Sequence, residues 1–393
     1  MKIIFILPSL SAGGAEGFIV SLAVALARKG CGCHVFVLGG IRDARGIELC
    51  NQLAEANVGF TGDTKRSTRS LVNFVEFRRV LGLFAPDVIY VNLRAAEWFC
   101  MVGGFGGTSE GPVFTRRLAN RVPQNTFSEK LGFRIRSRFY KFSVACSQAV
   151  EESAMSCLGK SARRRNREFA VIRNGIVFPH GPPSDDERRD ARAKISIADD
   201  ELFLLNVGSF GLTKTQIDGS GVRFGQKGQD IAIKAFAKAF AGEDKTVLGF
   251  LGDGPSISDA KALASELGIA GNVRFFGKAS NPWSHLSAAD AFLFPSRFEG
   301  MPNALVEASG MGLPAIVSDI PEIRAIEPSR GWRFCPVDDE MAFANAIREL
   351  RANLRSAKAD ALATSWEFRD GFSMERCVDE HLRFFRTAME RSG

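Results

Sequence analysis

The chain has 393 residues, with 51 Lys and Arg against 44 Asp and Glu for a formal net charge of +7, and 45% of it is apolar. That length exceeds what one core usually fills, so two domains are expected, and no apolar run of about 18 residues offers a membrane span. The eight cysteines form no C-x-x-C pair and the four histidines are scattered, which argues against a disulfide scaffold and a structural metal site and for the reducing cytoplasm.

In chain order, M-K-I-I-F-I-L-P reads as a buried first strand and not as a secretion signal, because the apolar run stops at Pro8 and glycines follow. Gly13 and Gly14 then make a turn, and Ala15 to Lys29 a helix with Phe18, Leu22, Ala25 and Leu26 on its apolar face. Strands are predicted at His34 to Leu38, Val88 to Val91, Pro112 to Thr115, Val144 to Cys146 and Ala170 to Ile172, with helices at Leu71 to Phe84 and Gln148 to Leu158. Arg173-Asn174-Gly175 closes this half, and the polar stretch Pro182 to Asp190 reads as a linker.

A second alternating series follows. Strands are predicted at Leu202 to Val207, Thr246 to Leu251, Val273 to Phe276, Phe292 to Phe294 and Ala315 to Val317, and helices at Asp230 to Phe240, Ala260 to Leu267 and Met341 to Leu354. Regular alternation implies parallel sheets covered on both faces, hence an α/β chain of two doubly wound, Rossmann-like domains, residues 1–180 and 181–371. Open α/β sheets bind ligands beyond the carboxyl ends of their strands, so the expected site is a cleft between the domains. The last segment, residues 372–393, carries Met374, Val378, Leu382, Phe385 and Met389 at helical spacing.

Charge is uneven. Thr115 to Glu168 holds thirteen Lys or Arg against four Asp or Glu, among them Arg116, Arg117, Arg121, Arg134, Arg136, Arg138, Lys141, Arg163, Arg164, Arg165 and Arg167, with Phe127, Leu131, Phe133, Ile135 and Phe139 interleaved. Such a stretch suits an anionic membrane surface, a solvated helix face being the alternative. No nucleic-acid motif accompanies it.

The chemistry concentrates in F-P-S-R-F-E-G-M-P-N-A-L-V-E-A-S-G-M-G-L-P-A-I-V-S, Phe294 to Ser318. Glu299 falls on a loop and Glu307 in the helix that Pro302 and Asn303 start. The backbone N–H groups of Gly300 to Asn303 are expected to lack intrahelical partners and to form an anion pocket beside two carboxylates that can accept from sugar and ribose hydroxyls. This segment resembles the E-x7-E signature of retaining glycosyltransferases of family four, whose first Glu is associated with the donor sugar and whose second is associated with the nucleotide ribose. The resemblance implies the two-domain GT-B fold, a terminal helix that crosses back to the first domain, and no cofactor or metal.

Val207-Gly208-Ser209 with Gln226-Lys227-Gly228-Gln229-Asp230 resembles the family's K-G-x-D element, in which Lys227 would stabilise the departing diphosphate. Gly13-Gly14-Ala15-Glu16 and Gly252-Asp253-Gly254-Pro255 resemble two glycine turns near the donor; neither fits the G-x-G-x-x-G of a nicotinamide dehydrogenase. Two departures stand out. Ser209 replaces a frequent Arg, leaving Arg223 or Lys214 in a long loop as candidate second cations. Asn92 stands where many relatives carry a His near the reacting sugar, and an amide cannot act as a base near neutral pH. His285 lies in a packed or exposed helical pattern and is not read as catalytic.

The resemblance therefore implies a retaining transferase that moves a hexose from a UDP-sugar, or next a GDP-sugar, to a glycan or lipid-linked acceptor in bacterial surface polysaccharide synthesis, in the cytoplasm or at the inner face of the membrane. A nucleotide-sugar-binding protein with weak turnover, or an epimerase or hydrolase on a related fold, is the alternative that Ser209 and Asn92 leave open.

Overall fold

The structure is a computed structural model that describes all residues except 12–13, 42, 64–66, 69, 106–112, 119–126, 159–167, 212–224, 241–242, 244, 280, 327–329 and 393, and the side chains of 113, 114 and 117. The chain divides into two units: Met1–Val177 with Phe372–Gly393, and Phe178–Gly371.

Among the described residues, unit 1 holds strands β1 (Lys2–Leu7), β2 (Gly32–Val37), β3 (Gly59–Thr61), β4 (Val88–Asn92), β5 (Val113–Leu118), β6 (Phe142–Ala145) and β7 (Glu168–Val171). They form one parallel sheet in the order β3-β2-β1-β4-β5-β6-β7. Ile3 to Leu7 are wholly buried, as an uninterrupted apolar strand covered on both faces should be. Alternation divides them: Ile3, Phe5 and Leu7 pack against Phe18, Leu22 and Leu26 of helix Gly14–Arg28 and against Met374, Val378 and Phe385 of helix Met374–Glu390. Ile4 and Ile6 face the other way, onto Phe77 of helix Val72–Phe84, Phe99 and Cys100 of helix Arg94–Val102, and Tyr140 after helix Phe127–Phe139. The C-terminal helix is thus part of the unit 1 core.

Unit 2 holds β8 (Leu202–Val207), β9 (Thr246–Leu251), β10 (Val273–Gly277), β11 (Ala291–Phe294), β12 (Ala315–Ser318) and β13 (Trp332–Cys335), parallel in the order β10-β9-β8-β11-β12-β13. Leu204, Phe250, Leu293 and Ile316 pack against Phe236 and Phe240 of helix Gln229–Phe240 and Phe343 and Ile347 of helix Glu340–Ala352.

Two expectations are corrected. The supposed linker contains a helix, Asp185–Lys194, begun by a reciprocal capping box between Ser184 and Glu187. Its anchor is charge: Arg188 Nη2 and Arg192 Nη1 donate to the buried Asp290 carboxylate at 2.5 and 3.2 Å, where Lys358 also donates at 2.6 Å. The basic stretch, in turn, is not uniformly a surface. Arg116 is 0% exposed, donates to Ser143 Oγ (2.9 Å) and Ser137 Oγ (2.8 Å), and stacks 4.8 Å from the Phe133 ring. Arg136 is buried against Glu97 at 2.6 Å. Arg121, Arg163, Arg164, Arg165 and Arg167 lie outside the described residues.

Candidate functional site

In unit 2, β8 connects to β9 on one side yet is paired with β11 on the other, so strand order reverses between β8 and β11. The loops leaving their carboxyl ends diverge there and open a crevice, the usual ligand position in such sheets. Lys227 lies on the β8 side and Glu299 on the β11 side. Lys227 Nζ donates to both Glu299 oxygens, at 2.8 and 3.0 Å, and sits 5.5 Å from the Phe294 ring centroid. Glu299 is only 4% exposed, so its carboxylate has exchanged most of its water for this ammonium.

The loops are laced together by residues to which the sequence reading gave no role of their own. Gln226 Nε2 donates to the Phe298 carbonyl (2.7 Å) and, at 3.4 Å, to Glu299 Oε2, while the Gln226 carbonyl accepts from the Arg297 amide (2.8 Å). Arg297 forks onto Asp230 through Nη1 and Nη2 at 3.0 and 2.7 Å and also donates to the Gly225 carbonyl at 2.9 Å. Gly228 adopts φ +63°, and a Cβ there would lie 2.0 Å from the Pro295 carbonyl oxygen, so only glycine permits this approach. The signal for Arg297 was its place two residues before Glu299, but its partner Asp230 is identified only by folding.

Glu307 lies in helix Asn303–Gly310, half-buried, and its carboxylate has no hydrogen-bond partner among the described residues. Desolvation pushes its carboxyl up to about 7. The expected row of free amides is corrected: Pro302 has no N–H, and the Asn303 amide is spent on the Met301 carbonyl at 3.0 Å. Gly300, Met301 and Pro302 form the loop between Glu299 and this helix.

Ser209 is exposed, and its carbonyl accepts from Gln229 Nε2 at 3.1 Å. The Arg223 and Lys214 candidates lie outside the described residues, as does Gly13. Gly254 has a packing reason of its own: at φ +154° a Cβ would fall 2.4 Å from the Phe210 carbonyl oxygen. Gly14 opens its helix with nothing within 4 Å of where a Cβ would sit, so protein packing does not demand glycine there.

Unit 1 has its own reversal, between β1 and β4. Asn92 ends β4 there, fully buried, with neither Nδ2 nor Oδ1 partnered among the described residues, and Leu93 follows at φ +69°. An unpaired buried amide costs about 1–3 kcal/mol, which a hydrogen-bonding ligand would recover. His285 packs edge-on to Phe276 at 4.9 Å, and burial lowers its pKa, which fits a packing role. A cavity of about 350 Å³ lined by His34, Thr61, Val80 and Phe84 sits at the β2–β3 edge and not at either reversal.

A family model described as "Glycosyl transferases group 1" matches residues 219–353, the segment that carries Lys227, Glu299 and Glu307. The lipopolysaccharide core biosynthesis glycosyltransferase LpsD of Rhizobium meliloti (strain 1021) is 27% identical over 386 residues, 95% of either chain. The chain is a glycosyltransferase. Lipopolysaccharide glucosyltransferase WaaG of Escherichia coli (strain K12) is 30% identical over 252 residues, 63% of this glycosyltransferase and 58% of WaaG. Among solved structures, Anabaena Alr3699/HepE in complex with UDP-glucose superposes with a TM-score of 0.80 at 18% identity, covering 98% of this chain and 100% of HepE. That likeness gives this glycosyltransferase the two-domain GT-B fold, with the hexosyltransferase role carried by the named relatives. Among the described residues no helix is long and apolar enough to cross a membrane.

Proposed function

We propose that this glycosyltransferase moves a hexose from a nucleoside diphosphate sugar, a UDP-sugar ahead of a GDP-sugar, to a glycan or lipid-linked acceptor of a bacterial surface polysaccharide, with retention at the anomeric carbon. The observation that carries the reading is the Lys227–Glu299 pair at the β8/β11 reversal, a cation and a carboxylate held within 2.8 Å where a ligand enters. HepE with UDP-glucose and LpsD in lipopolysaccharide core synthesis support the donor and acceptor classes.

In this mechanism the bond from C1 to the diphosphate oxygen breaks, and the acceptor hydroxyl oxygen bonds to C1 on the face the diphosphate leaves. The acceptor proton passes to the departing diphosphate. Negative charge grows on that leaving group, and Lys227, released from Glu299, stabilises it; no metal is invoked. Glu299 then accepts from sugar hydroxyls and Glu307 from the ribose. The Asn92 amide meets a substrate hydroxyl as a hydrogen-bond partner and not as a base. The test is acceptor-dependent release of nucleoside diphosphate with the product anomer assigned by NMR. Release without acceptor would make the protein a hydrolase, and an inverted product would remove the retaining mechanism.

A further inference from the structure

We propose that Arg297 and Asp338 are positioning residues for transfer: clamped between Asp230 and Asp338, the Arg297 guanidinium fixes the Glu299 loop against the Lys227 loop, so that Glu299 keeps its aim when Lys227 turns to the diphosphate. The inference rests on the transfer mechanism proposed above and adds to it two residues that act through Lys227 and Glu299.

Three loops of unit 2 meet at this guanidinium. The loop after β8 supplies the Gly225 carbonyl and, where helix Gln229–Phe240 begins, the Asp230 carboxylate. The loop after β11 carries Arg297 itself. The loop after β13 supplies Asp338, whose Oδ1 lies 2.7 Å from Arg297 Nε, an ion pair too bent to be a hydrogen bond. The Arg297 and Asp230 side chains are 13% and 10% exposed, so the attraction between them is little screened by salt. A planar guanidinium held on two edges is fixed in orientation as well as in place, which the point charge of a lysine would not be.

The third loop is a rigid mount. β13 ends paired with β12, Cys335 opposite Ser318, and Asp339 caps helix Glu340–Ala352 by accepting from the Met341 and Ala342 amides at 3.1 and 2.9 Å. Between these two anchors Asp338 adopts φ +62°. Glycine would suit that backbone better, but it would bring no carboxylate to Arg297. The other side of the clamp reaches the site directly. The Arg297 amide donates to the Gln226 carbonyl at 2.8 Å; Lys227 is the next residue on one strand of this contact and Glu299 lies two residues along the other. Once Lys227 gives up its 2.8 Å bond to Glu299, the carboxylate is held chiefly by its loop, and displacement of a positioned group by about 1 Å can cost a hundredfold in rate.

Two mild variants test the clamp. Asp338→Asn tolerates the left-handed backbone and removes the charge, and Arg297→Lys leaves a cation for Asp230 while giving up the fork. In fully folded protein, Arg297→Lys should lower kcat at least roughly tenfold and Asp338→Asn at least roughly threefold, with donor KM and nucleoside diphosphate affinity within about twofold of wild type. The double variant should be no slower than Arg297→Lys alone, because both substitutions act on one contact. Wild-type kcat in Arg297→Lys, a loss confined to KM, or effects that multiply in the double variant would each overturn the proposal. Hydrogen exchange supplies a readout independent of turnover: in Asp338→Asn the Arg297 amide should exchange faster than in wild type. Unchanged exchange overturns the clamp even if the wild-type protein transfers no sugar, a result that would separately remove the transfer mechanism.

Discussion

Neutralising Glu299 should strengthen the binding of nucleoside diphosphate while reducing transfer. The Lys227 ammonium is already engaged by Glu299, 2.8 Å from one carboxylate oxygen and 3.0 Å from the other. At an effective dielectric constant near 20 that contact is worth about 6 kcal/mol before desolvation is subtracted, and partly buried pairs retain a small part of such a gross figure. Diphosphate must compete with Glu299 for the cation and also approach a fixed negative charge. Glu299→Gln keeps the shape, removes both penalties and should tighten UDP binding roughly tenfold, equivalent to about 1.4 kcal/mol. Transfer should fall by at least about a hundredfold, because the sugar loses a charged acceptor made in the transition state. Isothermal titration at fixed ionic strength measures the first effect and a coupled turnover assay the second. Unchanged or weaker UDP affinity would refute the idea that Lys227 changes partners during the reaction.

Glu307 gives a pH signature. Its folded value near 7 stands above the ordinary 4.5, so the folded state holds a proton that the unfolded chain has lost between these values, and stability declines as pH rises from about 4.5 to 7. Glu307→Gln should abolish that decline, worth at most about 3 kcal/mol, in urea denaturation at pH 5 and pH 8; parallel wild-type and variant curves would refute the assignment. If ribose hydroxyls donate to this carboxylate, nucleotide binding near pH 7 should also release protons, visible as a dependence of binding heat on buffer; identical heats in all buffers would count against it. Arg297→Met leaves the mostly buried Asp230 unpaired and should cost about 3 kcal/mol in urea unfolding, whereas a loss below about 1 would show that the loops do not rely on this fork. Gly228→Ala should lose at least about 2 kcal/mol from its φ and the Pro295 contact, and wild-type stability would mean that the loop relaxes freely.

Much of the fold was legible because buried parallel strands announce themselves as apolar runs. Leu202–Val207, Thr246–Leu251 and helix Gln148–Leu158 were placed to the residue. Helix Asp185–Lys194 was missed because its attachment to Asp290 is ionic and leaves no apolar period, although the S-x-x-E capping box at Ser184 and Glu187 was there to be read. Lys227 and Glu299 each stood out through family resemblance, but their direct pairing depends on β8 lying beside β11, and strand order is not written in any local window. The same holds for Arg116 and Arg136. Arginine is usually an exterior residue; Arg136 is turned inward by Glu97 of the unforeseen helix Arg94–Val102, and Arg116 by Ser137 and Ser143, neighbours that only folding supplies.

The closing stretch of unit 1 has a consequence for how the protein is made. The Ile176 amide donates to the Phe372 carbonyl at 2.8 Å and the Met374 amide to the Ile176 carbonyl at 3.1 Å, after which Met374, Val378 and Phe385 complete the hydrophobic layer begun by Ile3 and Phe5. On a ribosome the first seven strands emerge early, yet their packing is completed only by helix Met374–Glu390, while Phe178–Gly371 has all its own elements a full helix sooner. The unit synthesised second is free to mature first. A nascent chain therefore carries an apolar sheet face that helix Gly14–Arg28 covers only in part until Met374, Val378 and Phe385 arrive, and a chain cut short before them would be released with its oldest segment never sealed.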